Sequence, residues 1–297
     1  MVTETEIDKL LATTASLLDN VYTFNCSGHK MPGKSHRGAA VAHQDTLERR
    51  NDFLKELKNT MCSWVFSKQK YNELFRIEFE ERGQDIQNAS SHIQSLVAEK
   101  FRKGHPQGQF GELLLFNLLQ HFFKAAPILR KMSITTNPAI ERHGSDAIHF
   151  RPINGKNVVF LGEAKTYASR YRFKVALDDS VESILKAYAN FSNELNLYVY
   201  DDFIENDFFE IARQIKINKL PNVVYELVCI ISYQENDKKK NGESQQEIEK
   251  AIEKAVNSNL LNYQNDYSHI DPNAISKIHF ILFPFWELES LLNGFDL

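Results

Sequence analysis

The segment NVVFLG, residues 157–162, carries only apolar side chains between its first and last residues. Successive side chains of a strand alternate in direction, so Val159 and Leu161 would face one side while Val158 and Phe160 face the other. A strand with one wet face alternates apolar and polar residues, whereas a strand covered on both faces does not. The segment therefore predicts a sheet that lies between two layers of other structure.

Segments of helical and strand character surround this run. Residues 110–123, FGELLLFNLLQHFF, are apolar nearly all round, which is typical of a helix inside a larger core. The turn PINGKN (152–157) predicts a hairpin, and Asp179 or Ser180 is the predicted N-cap of the helix that follows. After the first helix come strands at 132–136, 146–150 and 157–162, a helix at 178–199, a strand at 222–232, a helix at 245–263 and a strand at 277–285. This order favours an α/β fold with a central mixed sheet flanked by helices.

The first 104 residues have a different character. Helical patterns cover residues 46–66, 71–83 and 85–104, and an irregular insert rich in Gly, His and basic residues covers 25–43. The segment GHPQGQ (104–109) then breaks the pattern. We predict a mainly helical N-terminal region, residues 1–104, that serves as a scaffold or docks a partner, followed by an α/β domain over residues 105–297.

The composition limits the classes of partner. The chain has 297 residues, a net charge of -4 and a sequence pI near 6.2, so it lacks the basic surplus of most nucleic-acid binders. Any nucleic-acid binding should be weak without local basic patches, a metal ion or a partner. No segment has the roughly 18 consecutive apolar residues of a membrane span, and the first residues lack a secretion signal, so we expect a cytoplasmic protein with no membrane contact.

Charged residues follow the apolar strand directly. Glu163 and Lys165 are two residues apart and would share one face of the strand. Asp146 begins the preceding strand, so the hairpin would bring its carboxylate beside Glu163. Two carboxylates on neighbouring strands suit Mg²⁺, and Lys165 could orient a water molecule or stabilise negative charge on a phosphate. This combination predicts phosphodiester hydrolysis.

A third carboxylate lies in the apolar helix at Glu112, where a metal ion or a cationic partner would explain it. Gly111, the residue before it, would let this helix approach the sheet closely.

Three other interpretations of these charges stay open. Glu163 and Lys165 could form only a same-face ion pair on a strand, worth about 0.2–1 kcal/mol. The carboxylates could hold a structural metal ion, or the fold could serve as a non-catalytic docking subunit. The spacing alone is weak, since Glu56 and Lys58 repeat it within a helical pattern.

The set Glu112, Asp146 and Glu163-x-Lys165 resembles the PD-(D/E)xK nuclease superfamily, which has the restriction-endonuclease-like fold. The segments FGELLLFNLL, GSDAIHF, FLGEAKTYAS and ALDDSVESILKAY resemble the HamA family, the nuclease subunits of the Hachiman anti-phage defence system, over about residues 108–188. Ser145 stands where the superfamily often has a proline.

The resemblance implies a DNA nuclease. It implies that Asp146, Glu163 and Lys165 are catalytic, and that Glu112, Asp146 and Glu163 bind Mg²⁺ or Mn²⁺. It also implies a partner, a superfamily 2 helicase (HamB) that gates the activity.

Several further residues are weaker candidates. Cys26, His29, His36 and His43 do not have common zinc-site spacing, so a loop that is flexible or binds a partner is favoured there. We expect His149 to be a hydrogen-bonded sheet residue, and Tyr167, Ser180 and Lys186 are possible neighbours of the site. The basic residues Lys30, Lys34, Arg37, Arg49 and Arg50 are candidate phosphate contacts, although such charges usually form a solvated face.

Overall fold

A computed structural model describes residues 3–104, 106–130, 145–169, 171–198, 208–235 and 242–296. Seven strands form one mixed sheet in the order β1-β2-β9-β8-β7-β6-β5. The pairs β7/β8, β8/β9 and β9/β2 are parallel, and the pairs β1/β2, β6/β7 and β5/β6 are antiparallel. The strands are β1 (Val21–Asn25), β2 (Ser35–Val41), β5 (Ala126–Leu129), β6 (Ala147–Ile153), β7 (Lys156–Tyr167), β8 (Val223–Gln234) and β9 (Ile278–Phe285), and β3 (His43–Gln44) and β4 (Leu47–Glu48) form a separate small pair.

Helices cover both faces of the sheet. The larger ones are α3 (Arg50–Asn59), α5 (Lys68–Glu81), α6 (Ile86–Glu99), α7 (Gln107–Phe123), α8 (Phe173–Tyr198), α9 (Phe209–Lys216), α10 (Gln245–Asn262) and α12 (Leu288–Phe295); the short ones are α1 (Glu4–Leu10), α2 (Ala15–Leu18), α4 (Met61–Val65) and α11 (Pro272–Ile275). One apolar cluster joins α8, α9 and α10 to the face of β7 that carries Val159 and Leu161. A second joins α3, α4, α7 and α12 to the face that carries Val158 and Phe160. The predicted α/β fold with a central mixed sheet flanked by helices is confirmed at this level.

The predicted hairpin is confirmed, and its turn explains it. Ile153 pairs with Lys156, which leaves Asn154 and Gly155 as the two turn residues. Both have positive φ, 50° and 75°, as a two-residue turn between twisted strands requires. The helix at 245–263 and the strands at 222–232 and 277–285 are also confirmed. The predicted strand at 132–136 lies outside the described residues; β5, slightly earlier, pairs with β6.

The predicted start of the helix after β7 is wrong. Helix α8 begins at Phe173, so Asp179 and Ser180 lie inside it and neither is its N-cap. The earlier start has an apolar cause, since Phe173 packs on Tyr233 and Ala176 and Leu177 are fully buried. Burial of these residues outweighs the N-cap preference of the later polar ones.

The prediction of an irregular insert over residues 25–43 is also wrong in part. Strand β2 lies inside it, pairs with β9 and buries the small residues Ala39, Ala40 and Val41. Gly38 is needed there because the ring of Phe24 occupies the space that a side chain would take.

The sheet thus draws β1 and β2 from before residue 104, although the helices predicted in that region are present. The division into two regions at residue 104 stays a prediction. No helix in the described ranges is long and apolar enough to span a membrane.

Candidate active site at the end of the central strand

Strand β7 carries the two charged residues of the Glu-x-Lys motif on one face. Glu163 and Lys165 have the same parity as Val159 and Leu161, so they lie on the side of the sheet that α8 covers. Glu163 is only 6% exposed. Its Oε1 lies 2.8 Å from the Nζ of Lys165, which forms an ion pair along the strand.

Asp146 is held against β7 on both sides of Glu163. The N–H of Asp146 donates to the carbonyl of Gly162 (2.9 Å), and its Oδ2 accepts from the N–H of Ala164 (2.8 Å). The hairpin register, with Ala147 opposite Gly162, leads Asp146 towards Glu163 on the neighbouring strand. The hairpin therefore delivers two carboxylates to one place.

Lys165 is held in its charged form by these carboxylates. Burial lowers the pKa of Lys165, but the Glu163 carboxylate, with smaller contributions from Asp146 and Tyr167, outweighs burial and raises the pKa above its ordinary value. Lys165 therefore carries a positive charge at neutral pH, beside two groups of opposite sign.

Helix α7 places Glu112 on the other layer. A methyl group at Gly111 would lie 2.5 Å from Thr166 Oγ1 and 3.3 Å from Ala164 Cβ, so the close approach predicted at Gly111 is present. Thr166 and Ala164 belong to the face of β7 opposite Glu163, so α7, which carries the half-buried Glu112, packs on that opposite face. No three carboxylate, imidazole or thiol groups of the described residues are grouped to hold a metal ion. The structure brings together Asp146, Glu163 and Lys165, but not Glu112.

The two carboxylates still suit a magnesium ion. Mg²⁺ commonly takes only one or two carboxylates and completes its shell with waters and substrate phosphates. Asp146 and Glu163 provide hard oxygen donors on adjacent strands, and Lys165 prevents the site from accumulating two uncompensated negative charges.

Further polar residues line the same side of the sheet, among them Tyr167, which the sequence named as a possible neighbour of the site, and Asp179, which it named only as an N-cap. Tyr167 donates a hydrogen bond to Asp179 of α8. Asp178, the preceding residue, accepts from the Tyr263 hydroxyl and from Asn265 Nδ2 at 2.6 Å. For the contacts of Asp178, the only signal in the sequence was the acidic pair Asp178-Asp179, because Tyr263 and Asn265 lie far along the chain.

Two weaker candidates prove to be packing residues. His149 is a buried sheet residue as predicted, since its Nδ1 lies 2.9 Å from the carbonyl of Ala125 and burial lowers its pKa to about 3. Ser180 is fully buried within α8, where its Oγ has no hydrogen-bond partner among the described residues.

A second polar cluster lies at the opposite edge of the sheet, where the parallel strands β8 and β9 begin. Glu226 of β8 pairs with Lys34 and, through Oε2, lies 3.1 Å from His279 Nε2. Ser35 Oγ lies 2.7 Å from the other ring nitrogen of His279. Lys34 was a candidate phosphate contact, but its ammonium group is used in this cluster, and no sequence signal pointed to the arrangement.

The histidine-rich segment does not form one site. The rings of His29 and His36 lie 4.3 Å apart and His36 stacks on Phe280, while His43 belongs to the separate strand β3. A role of this segment in binding a partner stays a prediction.

Comparison with known families covers nearly the whole chain. A protein-family model described as HamA matches residues 16–296. No curated protein matches the chain significantly. The match extends well beyond residues 108–188, on which the resemblance in the sequence rests, and it includes strands from both sides of residue 104.

Proposed function

The chain belongs to the HamA family, whose members are subunits of the Hachiman anti-phage defence system, and on this premise we propose that it is a metal-dependent DNA nuclease. The observation that carries the proposal is the position of Asp146. Its backbone and side chain are bonded to the residues on either side of Glu163, so both carboxylates sit beside a charged lysine at the end of a buried strand. Charged groups are rarely placed so unless they bind a ligand or each other.

The proposed mechanism assigns roles to Asp146, Glu163, Lys165 and Glu112. Asp146 and Glu163 would hold Mg²⁺ or Mn²⁺, and a bound ion would neutralise phosphate charge and lower the pKa of water. Lys165 binds a non-bridging phosphate oxygen or orients the attacking water, which requires the positive charge that its carboxylate neighbours maintain. Glu112 would act on this site through water from the α7 layer, and the surrounding sheet would be a restriction-endonuclease-like core.

We further propose that a superfamily 2 helicase of the HamB type gates the activity. The chain has a net charge of -4, so its own affinity for DNA should be weak, and the partner would supply most of the DNA affinity of the complex. The rival proposal is a non-catalytic docking subunit that keeps the fold. The ion-paired and hydrogen-bonded arrangement of Asp146, Glu163 and Lys165 favours the enzyme, because docking alone does not require it.

The test compares Asp146→Ala, Glu163→Ala and Lys165→Ala with the unchanged chain. Each variant should lose at least about 10²-fold in plasmid cleavage with Mg²⁺, because each removes a metal ligand or a charge next to the phosphate. Cleavage is measured with the full chain alone and with the helicase and ATP, after circular dichroism has shown that the variants fold.

Glu56→Ala is the matched control. Glu56 and Lys58 have the same spacing within helix α3, where both are partly exposed and Asn59 donates to Glu56, and cleavage should not change. Normal cleavage in any folded variant of the three site residues would rule out the assignment. Metal binding without cleavage in either format would identify a structural metal site instead, and absence of both would favour the docking subunit.

A further inference from the structure

The connection between β7 and α8 follows the proposed active site directly and carries an unusually exposed aromatic residue. Tyr171 is 80% exposed, more than any other large apolar or aromatic side chain of the described residues. Its φ of 63° lies in the left-handed region, which a bulky residue seldom adopts. A residue held in such a conformation with its ring in solvent suggests a function other than packing.

The backbone around Tyr171 is fixed by its neighbours. Phe173 packs on Tyr233 with the ring centroids 4.8 Å apart, and the N–H of Ala176 donates to the carbonyl of Arg172 (2.8 Å). Phe173 and Ala176 thus anchor the start of α8 to the sheet. The anchor leaves the side chains of Tyr171, Arg172 and Lys174 exposed.

Arg172, in this connection, and Lys165, at the end of β7, both influence Tyr167. Burial raises the pKa of Tyr167 and the bond to Asp179 adds to this, while Lys165 and Arg172 both act in the opposite direction. Both cations must therefore lie near Tyr167, one on each side of it along the chain.

Several basic side chains elsewhere in the protein are neutralised by carboxylates. Lys34 pairs with Glu226, Arg50 with Glu48 and Glu287, and Arg151 with Asp8. Arg172 and Lys174 differ from these, since neither has an ion pair with any residue that the structure describes. In a chain with a net negative charge, two unpaired cations beside an exposed ring form a local site for a polyanion.

We propose that Tyr171, Arg172 and Lys174 bind an unpaired DNA strand next to the scissile phosphate. Tyr171 stacks on a base, and Arg172 and Lys174 contact phosphates on the path that leads to Lys165. Every base presents a flat π-face, so this binding tolerates any sequence, but the face is available only when the base is out of a duplex. The inference rests on the proposed nuclease function and adds to it a substrate class, an unpaired strand such as a helicase produces.

Binding is tested with the full chain, EDTA and short fluorescein-labelled DNA oligonucleotides, single-stranded and duplex, by fluorescence anisotropy. The unchanged chain should bind the single strand more tightly than the duplex. Tyr171→Ala should weaken single-strand binding roughly five- to hundredfold, and Tyr171→Phe should preserve it because the ring remains. Arg172→Gln and Lys174→Gln should each lower the slope of log affinity against log salt by about 0.7, the value for one phosphate contact on a single strand.

Lys219→Gln is the matched control for loss of charge. Lys219 is exposed and precedes β8 at the opposite edge of the sheet, so affinity and salt slope should not change. Three results would overturn the inference: no single-strand binding by the unchanged chain, unchanged binding by Tyr171→Ala, or an equal loss in Tyr171→Phe. Because EDTA removes the metal, binding is independent of cleavage. Failure of the nuclease proposal would show as normal cleavage by Lys165→Ala, which is a separate result.

Discussion

Strands β7 and β8 each carry a nearly buried glutamate that pairs with a lysine, but at opposite edges of the sheet. Glu226, at the start of β8, is 8% exposed and engages both carboxylate oxygens, one with Lys34 and one with His279 at 3.1 Å. Glu163, near the end of β7, is 6% exposed, and its one ion-pair partner among the described residues is Lys165.

The partners differ in what they connect. Lys34 and His279 belong to separate parts of the chain, so the Glu226 cluster ties β2, β8 and β9 together. Lys165 is two residues from Glu163 on the same strand, so their pair connects no two elements. Asp146, on the neighbouring strand, carries the same charge as Glu163 and so cannot neutralise it. The Glu226 cluster is therefore complete as a structural unit, whereas the Glu163 group, under the proposed function, would receive a metal ion.

The largest expected effects come from one glutamate substitution at each edge, of which the first should affect mainly cleavage and the second mainly stability. Glu163→Gln should reduce cleavage by at least about 10²-fold, since an amide is a poor metal ligand in this position, and should change the free energy of unfolding by no more than about 1 kcal/mol. Glu226→Gln should lower the free energy of unfolding by about 1.5–3 kcal/mol, because charged hydrogen bonds are lost, and should leave cleavage intact.

Urea unfolding and plasmid cleavage measure the two quantities on the same preparations. The distinction between the edges fails if Glu226→Gln, while folded, loses cleavage as severely as Glu163→Gln. It also fails if Glu163→Gln proves the more destabilising of the two.

The part of this comparison that the sequence predicted is local. The parity of Val158 to Leu161, the turn at Asn154 and Gly155, and the shared face of Glu163 and Lys165 all depend on residues close in the chain. Such patterns follow from backbone geometry alone.

The part that could not be predicted depends on contacts distant in sequence. Lys34 and Glu226 meet only because β2 enters the sheet beside β9, and the small residues of β2 give little strand signal. Likewise, the sequence placed Glu112 in a buried helix but could not show which face of the sheet that helix covers. The face of the sheet on which α7 packs determines whether the Glu112 carboxylate can reach Glu163.

A smaller effect is expected where α7 contacts β7. Gly111→Ala should lower the free energy of unfolding by about 1–3 kcal/mol, because the new methyl group would lie 2.5 Å from Thr166 Oγ1 and force the helix away from the strand. Gly108→Ala is the control on the same helix, since its methyl group would meet only Glu112 Oε1 at 3.9 Å. That variant should be unchanged or more stable by up to about 1 kcal/mol. Equal unfolding midpoints in urea for the two variants would contradict the close packing at Gly111.

The smallest effect is the pH dependence of the two edges, and it has opposite signs. Burial raises the pKa of Glu226, but His279 and Lys34 outweigh it and the pKa lies below its ordinary value. A depressed carboxyl pKa contributes stability above the unfolded pKa of about 4.3 and loses it as the pH falls through the folded value. The stability difference between the unchanged chain and Glu226→Gln should therefore be constant near neutral pH and shrink below about pH 4.

Lys165 should show its effect on the alkaline side. Its pKa is raised, so its contribution is complete below the unfolded value of about 10.4 and is lost only as the pH rises through the folded one. The difference between the unchanged chain and Lys165→Gln, about 1 kcal/mol or less because Lys165 stays partly exposed to solvent, should persist through neutral pH and decline above about pH 10. Urea unfolding at a series of pH values measures both differences. A difference for Lys165→Gln that already falls between about pH 6 and pH 9, or a difference for Glu226→Gln that grows below about pH 4, would contradict these pKa directions and the roles assigned to the two edges.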